Sequence, residues 1–285
     1  MSIAPPADQH VHRVGRAPGG DSARGRRSAT VEADRQWVPY CGPAPGPEDW
    51  LGRWNLDPVL CLVLGLAGIA VWRMAVGHDV QARPRRRALR WAWALVLLLY
   101  VSPLCALSSA FFTARVAHHL ALLFLVAPLL AFGAAPWLAR MPAPLWPATF
   151  VAALTFWTWH APAPYAAALS SEAVYALMQL TLLASATAFW LAARRAEPAL
   201  ALTAILASTV QMGLLGALIT FAAQPLYAPH VGSALSWGVS PLADQQVAGL
   251  LMWAPGSLGY LAAAVWMGWD WLRTSRDRSL SGETA

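Results

Sequence analysis

Residues 116–139 read VAHHLALLFLVAPLLAFGAAPWLA, 24 positions without a single Asp, Glu, Lys or Arg. At ~1.5 Å of rise per residue such a helix covers ~36 Å, more than the ~30 Å of hydrocarbon in a bilayer. The stretches around it repeat the pattern, since 91–114, 141–171, 198–243 and 245–269 are also free of acidic and basic residues. Over all 285 residues 58% are hydrophobic and 12% charged, against about a quarter charged in an ordinary soluble domain. A soluble enzyme is excluded. A nucleic-acid reading of the +6 net charge fails too, because the arginines sit in short loops between apolar runs. All 20 basic residues are Arg, so Schiff-base chemistry, which needs a Lys amine, is also excluded.

The apolar runs predict an all-α polytopic membrane bundle with seven transmembrane helices, at about 58–76, 89–109, 116–135, 145–165, 173–193, 200–222 and 247–271. Short loops carrying excess Arg lie on the cytoplasmic side. Arg83, Arg85, Arg86, Arg87 and Arg90 mark one such loop, Arg140 and then Arg194 with Arg195 mark two more, and Arg273, Arg276 and Arg278 follow the last span. The loops on the other side, 110–115, 166–172 and 223–246, hold only Arg115. The N-terminus is therefore expected outside and the C-terminus in the cytoplasm. Three regions result: a disordered Arg/Pro/Gly-rich tail over 1–50, the seven-helix domain over 51–272, and a short cytoplasmic tail over 273–285.

Cys41, Cys61 and Cys105 are odd in number, and two fall inside expected spans, so the reading is of free thiols and no disulfide framework. Pro103, Pro128, Pro162, Pro164 and Pro255 should kink or stop helices. The Trp-rich flanks, among them Trp157, Trp159, Trp237, Trp253 and Trp269, suit an interfacial belt.

Placed on this topology, the polar residues converge on the outer leaflet. His118 and His119 fall in the first turn of helix three and His160 near the outer end of helix four. His230 lies in the long outer loop, and Asp244 with Gln245 precedes helix seven. Gln179 and Met252 are expected about two turns deeper. Polar groups at membrane depth usually face the bundle interior and one another. Imidazole with carboxylate and thioether suits a transition metal, and imidazole with Met suits copper. His119, His160, Asp244 and Met252 are the candidate metal ligands, with His118, Gln179, His230 and Gln245 as further polar candidates. A plainer role stands beside each: an imidazole near the interface can be solvated or bonded to a backbone carbonyl. Asp244 can instead cap helix seven.

Several strings resemble one family. Residues 40–58 (YCGPAPGPEDWLGRWNLDP), 101–107 (VSPLCAL), 111–122 (FFTARVAHHLAL), 159–169 (WHAPAPYAAAL) and above all 226–256 (LYAPHVGSALSWGVSPLADQQVAGLLMWAPG) are similar to the CtaG-like seven-helix membrane proteins, assembly factors for caa-type cytochrome c oxidase. The DQQxxGxxMWxPG string from Asp244 to Gly256 is the most specific piece. The resemblance implies a multi-pass protein of the bacterial plasma membrane. It would act with cytochrome c oxidase subunits, handle copper at the outer face, and have no turnover chemistry of its own. Carried over by position, the family's helix-three His is His119, its Trp-His-x-Pro is Trp159, His160 and Pro162, its Asp-Gln is Asp244 and Gln245, and its Met-Trp is Met252 and Trp253. Two departures stand out: Arg115 and Val116 replace the His-Met that begins helix three in many members, and Gln179 stands where helix five carries a His. Two rivals remain, a metal-free scaffold that holds an oxidase subunit and a haem-binding redox protein with two axial His.

Overall fold

The computed structural model describes residues 37, 39–75 and 82–281, in which every regular element is helical and no strand occurs. The principal helices are α1 (Pro58–Ala75), α2 (Arg83–Val101), α3 (Pro103–Ala110), α4 (Phe112–Gly133), α5 (Leu145–His160), α6 (Pro162–Ser170), α7 (Glu172–Arg195), α8 (Pro198–Thr220), α9 (Val231–Ser236) and α10 (Pro241–Asp277), the last continuing in helical form to residue 281. By length and composition α4, α7, α8 and α10 can each cross a membrane, and α2 with α3 makes a fifth if their 53° bend is taken as one broken span. The apolar part of α1, Pro58–Arg73, is shorter. Many large apolar side chains point outward, including Phe150, Leu180, Val210 and Val265. An apolar surface of that extent on a helical bundle is what lipid covers.

Prolines set the helix boundaries. Pro103 cannot supply the N–H that would continue α2, and the Ser102 hydroxyl accepts from Leu104 N to start α3 at the bend. Pro162 divides the expected fourth helix after His160 into α5 and α6. Ser171, Glu197 and Ser240 cap α7, α8 and α10, the last two directly before a Pro at the first helical position. Glu172 in the first turn of α7 and Arg194 with Arg195 in its last turn match the helix dipole.

Two helices absorb an inner proline through a π turn, Leu122–Val126 ahead of Pro128 and Met252–Gly256 around Pro255. In the first, Ala127 N–H reaches Leu122 O, and the next carbonyl, Leu123 O, faces a proline without an N–H; the Trp190 indole donates to it at 2.8 Å. Where α8 crosses α10, backbone lies on backbone. A Cβ built on Gly216 would stand 2.8 Å from Gly249 O, and one on Gly249 would stand 2.7 Å from Gly216 O.

Four expectations need correction. The Arg-rich stretch 83–90 forms the first two turns of α2, with Pro84 in the opening turn. The last helix begins near residue 241 and runs past 271, so 273–281 is helix. The tail expected to lack structure over 1–50 is folded onto the bundle over 39–50; residues 1–36 lie outside the described residues. The pairing of Cys41 with Cys105 overturns the free-thiol reading and leaves Cys61 free. The span assignment hid this bond because Cys105 sits on α3, beyond the proline bend, against the segment that carries Cys41. Around it Tyr40 O–H donates to Asp57 Oδ1 at 2.9 Å, and the Trp237 indole donates to Pro45 O. Asp57 also accepts from Leu60 N at the head of α1, and these donors hold its carboxyl below the usual range.

Candidate functional site

The site is built around the first two turns of α4. Helix N-termini leave backbone N–H groups without intrahelical partners. Here they are met from another element: Asp244, on α10, accepts from Phe112 N at 2.7 Å through one oxygen and from Thr113 N at 3.1 Å through the other, and Thr113 O–H donates to Asp244 O. Asp244 thus caps α4, while the last helix has Ser240 as its own cap. Among the described residues no three His, Cys, Asp or Glu side chains come together to hold an ion, so Asp244 does not complete a set with His119 and His160. Gln245 is also engaged in connection. Its carbonyl accepts from Leu226 N and its amide N–H donates to Ile219 O and Gln224 O, tying the end of α8 to the loop behind it.

His119 and His160 meet. His119 Nδ1 lies 3.4 Å from His160 Nε2, the two rings nearly perpendicular and both fully sheltered. His160 is the last residue of α5, and its Nδ1 donates to Phe156 O one turn back at 2.7 Å. That bond places the lone pair on Nε2, toward His119. The backbone carbonyl of His160 accepts from Tyr227 O–H, and the Tyr227 ring stacks on Phe112 at 3.6 Å between centroids. Loop 223–230 therefore fixes both the end of α5 and the start of α4. His119 Nε2 has no hydrogen-bond partner.

The other flank of the layer carries donors. Arg115 is completely buried, donates from Nη1 to Tyr175 O–H at 2.9 Å and lies over that ring, while its Nε and Nη2 have no partner. Among the described residues no carboxylate pairs with Arg115. His118 has neither ring nitrogen bonded and packs against the edge of Tyr100, whose O–H donates to Gln179 Oε1 at 2.8 Å. Gln179 Nε2 is left without a partner. His118 and His119, adjacent in sequence, face different neighbours.

His230 is buried under the outer loop with its Nε2 against Tyr165 O–H. Burial, and then the charge of Arg115, pushes its imidazolium down to about 3. Met252 is wholly buried at the start of the α10 π turn, and no bond ties it to either member of the His pair. Trp159, expected in the interfacial belt, is buried with its indole donating to Thr181 Oγ1, whereas Trp269 is well exposed.

Tyr165, Tyr175 and Tyr227 hold this layer together and were missed in the sequence. Aromatic residues in an apolar chain carry no periodic signal that separates wall from lipid face. Tyr227 and His230 in one outer loop were the available hint.

Fold and site together define a helical membrane protein with an imidazole pair and a buried guanidinium under one end of the bundle. The chain belongs to the cytochrome c oxidase caa3 assembly factor family (Caa3_CtaG), whose family model matches residues 63–274. Cys41 and Asp57 precede the matched part. Neither a curated protein nor a solved structure is found to match the chain.

Proposed function

We propose that this protein holds copper transiently at His119 and His160 during assembly of cytochrome c oxidase in a bacterial plasma membrane. The observation that carries the reading is the 3.4 Å separation of His119 Nδ1 and His160 Nε2, with His160 already oriented by Phe156 O. Two nitrogens at that spacing subtend about 110° at an ion with bonds of ~2.0–2.1 Å, an ordinary angle for a shared metal. His160 also has the backbone carbonyl behind it that commonly orients metal-binding imidazoles. Two protein nitrogens make a weak site, which suits a carrier that must release its ion. Bound copper would supply the cargo itself; the residues bind and orient it, and no turnover chemistry is assigned to them.

The same reading takes the chain as seven passes, with α1, the bent pair α2 and α3, and α5 with α6 joining the four long helices. The N-terminus lies outside and the C-terminus in the cytoplasm. The arginine distribution supports this orientation, and so does the Cys41–Cys105 bond, since disulfides persist on the oxidising side of a membrane. Residues 223–246 would then be the outer face offered to oxidase subunits.

The same 3.4 Å contact supports a second reading, in which His119 donates a proton to His160 and the pair is hydrogen-bond glue inside a metal-free scaffold. A haem between the rings is not favoured, because their centroids are 5.3 Å apart and leave no room for a macrocycle. Copper content of the purified protein after loading decides between them. About one ion per chain is expected in wild type and background in the His119→Ala/His160→Ala double variant; equal copper in both overturns the carrier reading.

A further inference from the structure

Arg115 is the feature the carrier reading does not use, and it is an expensive one to leave idle. A guanidinium cannot shed its charge, and this one lies fully buried, among apolar helices, with two of its three nitrogens unpartnered and no carboxylate in ion-pair contact. It precedes His119 by four residues, so both side chains project from one face of α4, with Cβ atoms about 6 Å apart. Asp244, which meets the first turn of α4, is held on Phe112 N and Thr113 N. The nearer groups, Tyr175, Tyr165, Tyr100 and Gln179, are neutral hydrogen-bonding residues.

Resting on the copper reading, we infer that Arg115 sets the charge class of the cargo: it makes the His119–His160 site selective for a singly charged metal ion, Cu(I), over doubly charged ions. The guanidinium repels any cation held between the imidazoles, and the repulsion scales with the charge of that cation. At an effective dielectric of ~20 a unit charge ~10 Å away changes affinity by about a factor of ten per unit charge on the ion. A divalent ion therefore meets about a hundredfold penalty where Cu(I) meets about tenfold. Imidazole on its own suits divalent ions such as Zn(II) and Cu(II), so the charge works against an inherent preference of the ligands.

The experiment is a pair of competition titrations on the purified full-length protein in detergent, under anaerobic conditions with the disulfide intact, using Cu(I) and Zn(II) against chelators of known affinity. In Arg115→Gln, Cu(I) should bind about tenfold tighter and Zn(II) about a hundredfold tighter, so the ratio of the two dissociation constants moves about tenfold toward Zn(II). Arg115→Lys keeps the charge and should keep the wild-type ratio. Gln179→Glu keeps the buried guanidinium and sets a carboxylate one turn beyond Tyr175 on α7. It should move the ratio in the same direction as Arg115→Gln, and it serves if that variant does not fold. Wild-type binding of both ions with an unchanged ratio in Arg115→Gln and Gln179→Glu overturns this inference alone. A wild type that takes up neither ion overturns the carrier reading and this one together.

Discussion

The two flanks of the buried layer present opposite chemistry from one helix. On the α5 side, His119 and His160 turn nitrogens toward each other. On the α7 side, Arg115 and Gln179 hold N–H groups that nothing accepts. A cation is drawn to the first and repelled by the second. What separates them is about one turn of α4 and the choice of facing partner, an imidazole from α5 or a tyrosine from α7. A site of this kind can attract an ion and still let it go.

Both flanks hang on the capping of α4, so the largest expected effect comes from removing the cap. Asp244→Ala strips acceptors from Phe112 N, which is buried, and Thr113 N, which is part-buried. Two orphaned donors, both bonded to one carboxylate, should lower stability by about 3 kcal/mol. Thermal unfolding in detergent should show a fall in Tm of roughly 6–12 °C, with Asp244→Asn between wild type and Ala. An Asp244→Ala protein as stable as wild type would mean that the two flanks do not depend on the cap.

The next variant separates the flanks. His160→Ala should weaken Cu(I) binding at least thirtyfold, about 2 kcal/mol, while leaving the Arg115–Tyr175 bond in place. His118→Ala, which removes an imidazole with no partner on either nitrogen, should change Cu(I) binding less than threefold. Equal losses in the two variants would show that the pair at 3.4 Å is not the binding unit.

Much of this arrangement was legible in the sequence, and its limits have physical causes. The charge-free runs placed the long helices α4, α7, α8 and α10 because hydrocarbon length imposes a simple count. They placed the broken ones less well: Pro103 and Pro162 were recognised as kinks, but whether a proline bends a helix or ends it depends on which neighbour takes the freed carbonyl. The gathering of His119 and His160 followed from topology, since both belong near one membrane face. The role of Asp244 did not. A carboxylate at the start of a helix suggests a cap for that helix, and only the packing of α10 against α4 shows that it caps another. The Cys41–Cys105 bond was hidden for the same reason, as 64 residues separate the partners.

Acid should weaken the hold of the outer loop on the bundle. His230 in the folded protein is pushed down to about 3, below its ordinary value near 6.5. The unfolded chain therefore takes up this proton first. Stability from this residue is complete above pH 6.5 and falls as pH drops toward 3, by up to about 1.4 kcal/mol per pH unit. His230→Gln, which keeps a polar partner for Tyr165, should flatten the acid limb of a Tm-versus-pH curve over that window. An unchanged slope would locate the acid sensitivity elsewhere.

The smallest effect tests the donor flank alone. Tyr175→Phe keeps the ring under Arg115 and removes the oxygen that accepts from Nη1, leaving Tyr165 as the hydroxyl beside the guanidinium. One more buried donor without a partner should lower stability by about 1–2 kcal/mol, or roughly 2–8 °C in Tm. The charge itself stays where it was, so the Cu(I) and Zn(II) affinities should remain within about twofold of wild type. A large change in metal affinity in Tyr175→Phe would mean that the hydroxyl, not the guanidinium charge, governs the ion between His119 and His160. The contrast between the flanks would then be one of hydrogen bonding rather than of charge.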